Sequence, residues 1–167
     1  GSWHHHTRFS DPDAGKALQN INTEIKAASA FLKQADWIII TLGSAFVYEL
    51  ADESGAIQGV VANCHKVPAD RFNKRLLTAQ EAAEAMQQMV NTVRRIRKEA
   101  RVIFTVSPVR HLRDGFVENN RSKAVLIQAV HAVAEQSHVQ YFPSYELVID
   151  DLRDYRFFAE DMAHPNY

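Results

Sequence analysis

Residues 35–48 read ADWIIITLGSAFVY. Trp37 to Thr41 form an unbroken apolar and β-branched run that passes into Leu42-Gly43-Ser44 and then into Phe46 and Tyr48. A short apolar run bounded by turn residues reads as a strand buried on both faces, the kind found in parallel sheets. In open α/β sheets ligands bind just beyond the carboxyl ends of the strands. Gly43, Ser44 and Ala45 therefore fall where chemistry is expected, and Ser44 is the first residue to weigh as a nucleophile.

Upstream, Trp3 to Arg8 is an aromatic and histidine-rich approach segment. Ser10-Asp11-Pro12-Asp13 then reads as a helix start, with a capping hydroxyl, an early proline and acids at the positive end of the dipole. Leu18, Ile21, Ile25, Ala28 and Leu32 recur at three- and four-residue spacing and give that helix one apolar face ending near Lys33. Downstream, Glu49 to Leu77 reads as the longest irregular region, with a turn at Asp52-Glu53-Ser54-Gly55 and a short extended piece at Gly59-Val60-Val61. Loops of such length are more often functional than not.

Thr78 and Glu81 are spaced as a capping box, opening a second helix with Ala82, Met86, Met89, Val93 and Ile96 as its buried stripe. Arg94, Arg95, Arg97 and Lys98 crowd its last turns and complement the dipole there, a solvated helix end rather than a nucleic-acid patch. Arg101 to Val106 is the next strand, Asp114-Gly115 a turn, and Arg121 to Glu135 a third helix burying Val125, Ala129, Val130 and Val133. Val139 to Phe142 is a third strand stopped by Pro143, followed by a short apolar element from Tyr145 to Ile149. Helices alternating with short apolar strands imply a parallel sheet covered on both faces.

At 167 residues, with 46% hydrophobic and 23% charged residues, the chain fits one soluble globular domain with a sizeable core. A formal net charge of -1 gives no electrostatic case for nucleic acid or a membrane surface. The single cysteine, Cys64, excludes an internal disulfide framework. No apolar run approaches the roughly 20 residues of a membrane-spanning helix, and no leader is visible, so the default expectation is a cytoplasmic protein. There is no initiating Met, and the chain stops at His164-Pro165-Asn166-Tyr167 without a closing helix, so an internal piece of a longer protein is expected.

Asp161-Met162-Ala163-His164-Pro165 carries the clearest chemical pattern. An Asp three residues before a His, on an irregular stretch, is able to receive the imidazole Nδ1 proton and leave Nε2 free as a general base. The competing reading is a capping Asp beside a surface His. His65 and Lys66 are candidates for binding a substrate carboxylate, or simply members of a polar loop. Cys64 beside His65 does not make a thiol nucleophile, because adjacent side chains rarely face each other. Arg153, Asp154 and Arg156 read as an ion-pair network holding the Asp161 loop. His4, His5 and His6 have no carboxylate or thiolate partner at a ligating spacing, so neither a metal nor any other cofactor is expected.

A strand ending in Leu-Gly-Ser, a later strand ending in Ser-Pro and a terminal Asp-x-x-His-Pro come in the order seen in SGNH-type hydrolases. The chain resembles more closely the GSCFA-domain family, named for a Gly-Ser-Cys-Phe-Ala motif. The resemblance rests on Thr41-Leu42-Gly43, Val47-Tyr48, Asn63-Cys64-His65-Lys66, Thr105 to His111 (TVSPVRH), Ser122-Lys123, Tyr141 to Glu146 (YFPSYE), Leu152 to Phe157 (LRDYRF), Asp161 and His164-Pro165. It spans nearly the whole chain. It implies a three-layer α/β/α, flavodoxin-like fold, here without its first strand, and a serine nucleophile on the Gly-Ser-Cys-Phe-Ala segment, expected upstream of Gly1.

In that comparison Trp37 to Gly43 aligns with the strand whose Leu-Gly-x-Asn-Asp end lines the oxyanion hole. Ser44 and Ala45 replace the residues there, so Ser44 becomes a lining residue rather than the nucleophile. The expected oxyanion donors are the Gly43 N–H and the side-chain amide of Asn63. His164 is the expected base and acid, Asp161 its orienter, and Ser44, His65 and Arg110 the expected substrate lining. The function implied is hydrolysis of O-acyl esters, plausibly acetyl groups on carbohydrate. The alternatives are a non-catalytic glycan-binding module on the same scaffold, or an O-acyltransferase. The partner expected is a small-molecule or glycan ester.

Overall fold

The structure, a computed structural model, describes residues 2–166. The chain forms two compact units, one of Gly1–Gln34 with Phe46–Leu76 and the other of Ala35–Ala45 with Leu77–Tyr167. It is an α/β protein with one parallel and one antiparallel sheet.

In the first unit helix α1 spans Ala14–Leu32. Its cap is Asp13, whose carboxylate accepts from the N–H groups of Gly15 and Lys16, three residues later than Ser10. None of its residues is buried, and Leu18, Ile25 and Phe31 are exposed. The stretch expected to be irregular instead holds three strands: β2 (Phe46–Ala51), β3 (Ile57–Val61) and β4 (Phe72–Leu76). They pair antiparallel in the order β3-β2-β4. The expected turn closes the β2–β3 hairpin. Asp52 Oδ1 accepts from the N–H of Ser54 at 2.9 Å and of Ala56 at 3.0 Å, and Gly55 takes the left-handed φ of 84°. Register pairs such as Phe46 with Leu76 lie far apart in sequence, beyond the reach of a local pattern.

The second unit is built on a parallel sheet, β1 (Trp37–Leu42), β5 (Arg101–Val106) and β6 (Val139–Phe142), in the order β1-β5-β6. Helix α2 (Ala79–Ile96) starts on the expected capping box of Thr78 and Glu81, and buries Ala82, Met86 and Val90 at a strict four-residue spacing. Helix α3 (Gly115–Val133) starts earlier than expected and buries Leu126, Ala129, Val130 and Val133. The two helices pack on each other, and α3 packs on β5 and β6. The sheet residues Val102, Phe104, Val106 and Val139 are buried as well, so the core is a sheet-on-helix sandwich.

Two-sided burial of β1 was the expectation, and the strand departs from it. In-register neighbours share a face, and on one face Trp37, Ile39 and Phe142 are exposed, Ile39 by 66%, while Thr105 on the same face is buried against Ser144. An apolar run is compatible with one-sided burial; in this unit α3 packs on β5 and β6 and carries α2 behind it, and the short turn at Ser144–Glu146 meets β5.

Candidate functional site

The last turn of the second unit is built around Asp161. Its Oδ1 accepts from the backbone N–H of Ala163 at 2.9 Å and of His164 at 3.0 Å, and its Oδ2 lies 2.6 Å from His164 Nδ1. With Nδ1 protonated, Nε2 keeps its lone pair. Those two backbone bonds and the imidazole hold the Asp161 carboxyl down to about 2, well below the usual carboxylate range. The chain reverses through Met162 at φ 55°, and the turn is closed by Ala159 N–H to His164 O at 2.8 Å and by a bridge between Phe158 and Pro165. Both side chains remain more than half exposed.

Arg110 ties this turn to the segment after β5. Its backbone N–H donates to Ala163 O at 3.0 Å and its Nη1 to Met162 O at 3.2 Å, while its guanidinium sits 4.1 Å from the centre of the Phe158 ring. Arg153 pairs with Asp150 at 2.8 Å and Arg156 with Asp154 at 3.4 Å, both on the surface. They flank the turn without bonding to Asp161.

The carboxyl ends of β1 and β5 are joined by a residue whose role sequence reasoning did not assign. Lys123, on α3, is 1% exposed, and its Nζ donates to Gly43 O at 2.6 Å and to Ser107 O at 2.7 Å. The register ends at Leu42 and Val106, with a last bond from Ser107 N–H to Leu42 O at 2.9 Å, and the ammonium serves the next carbonyl of each strand. Burial drives the Lys123 pKa down from 10.5 to about 8. Beside it, the buried Ser122 Oγ accepts from Ala45 N–H at 2.7 Å and lies 3.2 Å from Ser44 Oγ. A Cβ added to Gly43 would stand 3.6 Å from His111 Nε2, so the imidazole covers that glycine closely.

Asn63 and His65 belong to the first unit. The Asn63 amide donates to Thr7 Oγ1 at 3.1 Å and to His5 O at 3.4 Å, and its Oδ1 accepts from His65 N–H at 2.9 Å. The His65 ring reaches Ser2 O through Nε2 at 2.7 Å and Thr7 Oγ1 through Nδ1 at 3.3 Å. Within that unit both side chains fasten the N-terminal segment. The structure thus brings together Asp161 and His164, links Arg110 to their turn, and sets Gly43 and Ser44 beside Ser122 and Lys123. Among the described residues no group of three His, Cys, Asp or Glu side chains is placed to hold a metal ion. No helix among them is long and apolar enough to cross a membrane.

A sequence model of the GSCFA family matches residues 1–167. The chain belongs to the GSCFA family. No curated protein and no solved structure matches it. The family assignment covers Ser122-Lys123 along with the other motifs. The signal for Lys123 in the sequence was its place in the Ser122-Lys123 motif.

Proposed function

We propose that this GSCFA chain carries the base side of a serine ester hydrolase acting on O-acyl groups, with an SGNH-like arrangement. The observation that supports it most is the Asp161–His164 contact of 2.6 Å, in a turn that orients the imidazole through two further bonds to the same carboxylate. In this reading the nucleophile is the serine of the family's Gly-Ser-Cys-Phe-Ala motif, which residues 1–167 do not include.

His164 Nε2 takes the serine hydroxyl proton as the oxygen attacks the acyl carbonyl. The tetrahedral intermediate collapses with cleavage of the ester C–O bond, and the same nitrogen returns the proton to the leaving alkoxide. Water then attacks the acyl-enzyme, losing a proton to Nε2; the serine Oγ–acyl bond breaks, Nε2 returns that proton to Oγ, and the acid product leaves. Asp161, held ionised, stabilises the imidazolium in both halves. The Gly43 N–H is the proposed oxyanion donor, and the Lys123 bond to Gly43 O fixes the backbone that carries it.

The exposure of the Asp161–His164 pair favours hydrolysis over transfer to a second alcohol, because transfer requires water to be kept out. The test is His164→Ala in the full-length protein, assayed on acyl esters. The expected result is a loss of about 10³-fold or more in kcat. Undiminished cleavage refutes the assignment.

A further inference from the structure

Beside the His164 turn lies a cavity of about 160 Å³, small against the several hundred Å³ of a site that encloses a whole ligand. It has the size of a recess for one group of a larger molecule. Two of its lining residues are the cations Arg110 and Arg153. Arg110 is oriented by stacking on Phe158, and its guanidinium bonds through Nη1 to Met162 O. Among the described residues no carboxylate pairs with it. Arg153 pairs only with Asp150, in an exposed contact of the kind that competes weakly with a new partner. The one acid in the lining, Asp154, has both oxygens engaged by Arg156, Oδ1 by its backbone N–H at 2.9 Å and Oδ2 by its Nε at 3.4 Å. Val148, Ile149 and the Tyr155 ring supply the apolar remainder of the wall.

We propose that this recess is a carboxylate subsite, and that the ester cleaved at His164 is carried by a molecule bearing a carboxylate group. The proposal rests on the hydrolase reading above for its substrate, though not for its binding. Guanidinium forks match the planar, two-oxygen geometry of a carboxylate. An apolar wall tolerates a singly charged carboxylate better than a doubly charged, strongly hydrated phosphate. The recess is coupled to the reacting end, since Arg110 and Phe158 are the residues that bond to Ala163 and bridge to Pro165 on either side of His164.

The experiment has a binding arm and a turnover arm, both on the full-length protein. Benzoate and its neutral analogue benzamide are titrated by NMR, and hydrolysis of 4-acetoxybenzoate is compared with that of phenyl acetate. Benzoate is expected to bind at least tenfold tighter than benzamide. Arg153→Gln and Arg110→Lys are each expected to weaken benzoate about tenfold, the loss of one charge-assisted contact. The ratio of kcat/KM between the two esters is expected to fall about tenfold in Arg153→Gln.

Equal binding of benzoate and benzamide overturns the proposal, and so does benzoate binding that neither variant changes. If benzoate binding depends on the arginines while neither ester is cleaved, the subsite stands and the hydrolase reading fails. If both esters are cleaved with the same ratio in wild type and variant, the hydrolase reading stands and the subsite fails.

Discussion

Lys123→Met keeps the length and apolar stem of a fully buried side chain and removes the ammonium that joins the ends of β1 and β5. Two opposing quantities set the outcome. The variant leaves Gly43 O and Ser107 O without their donor, and hydrogen bonds to a charged group contribute about 1.5–3 kcal/mol each. It also removes the cost of holding a buried charge. A pKa depressed from 10.5 to about 8 corresponds to about 3 kcal/mol at neutral pH.

Between pH 8 and 10.5 the unfolded chain binds a proton at this lysine that the folded chain has released. Stability therefore rises with pH through that window, and below pH 8 the full cost is felt. The expected ΔΔG for Lys123→Met is a modest loss at pH 7, larger by about 2.5 kcal/mol at pH 10, where the folded amine is neutral and still donates. Urea denaturation of both proteins at the two pH values, followed by intrinsic fluorescence, reads the difference directly. Groups common to both chains cancel in it. A ΔΔG that stays flat with pH, or shrinks, refutes the idea that a buried charge caps these strand ends.

Asp161→Asn keeps the side-chain shape but loses the charge beside His164, so on the proposed hydrolase reading the full-length protein is expected to lose about 10³–10⁴ in kcat with little change in KM, measured by steady-state ester hydrolysis. Because the Asp161 carboxyl is depressed to about 2, the stability it lends the turn is complete above its ordinary value of 3.8 and is lost as pH falls toward 2. NMR of the His164 backbone amide through that range should show the turn loosening, and a resonance unchanged down to pH 2 would contradict the geometry. Tyr141 donates to Glu146 at 2.7 and 2.8 Å, and burial first, then that carboxylate, push its phenol well above the ordinary range. Tyr141→Phe should therefore leave the ultraviolet tyrosine titration near pH 10 unchanged, while costing about 1–3 kcal/mol of stability in denaturant melts.

What could be read from sequence divides along a physical line. Strand β5, strand β6 and the Thr78–Glu81 cap are local patterns, and the structure holds them at the expected residues. In the antiparallel sheet of the first unit the turn at Asp52–Gly55 and the extended piece at Gly59–Val61 were legible, whereas the pairing of β2 with β4 joins residues far apart in the chain and leaves no local sign. Helix α3 begins at Gly115 rather than near Arg121 because Phe116 and Val117, in its first turn, face outward and break the apolar stripe that marks a helix. The Asp161–His164 contact was legible because both partners lie within one turn. The role of Lys123 was not: Ser122-Lys123 marked the position, but the two carbonyls it serves come together only when the strand ends are placed in space.

The segment 107–111 explains how these separate features act together. Ser107 O is held by Lys123, which also holds Gly43 O, so the end of β5 and the proposed oxyanion backbone share one donor. Val109 N–H returns to Ser107 Oγ at 3.2 Å and stiffens the step between them. Arg110 then reaches forward, by backbone and side chain, to the two carbonyls that precede His164. His111 turns back, its N–H fixed by the buried Asn119 at 2.9 Å and its ring set against Gly43. The exposed His164 turn, the proposed base side, is thus tied to the end of β5 through five consecutive residues and one buried lysine. The turn is held by hydrogen bonds from Arg110 rather than by burial of the imidazole, which remains more than half exposed.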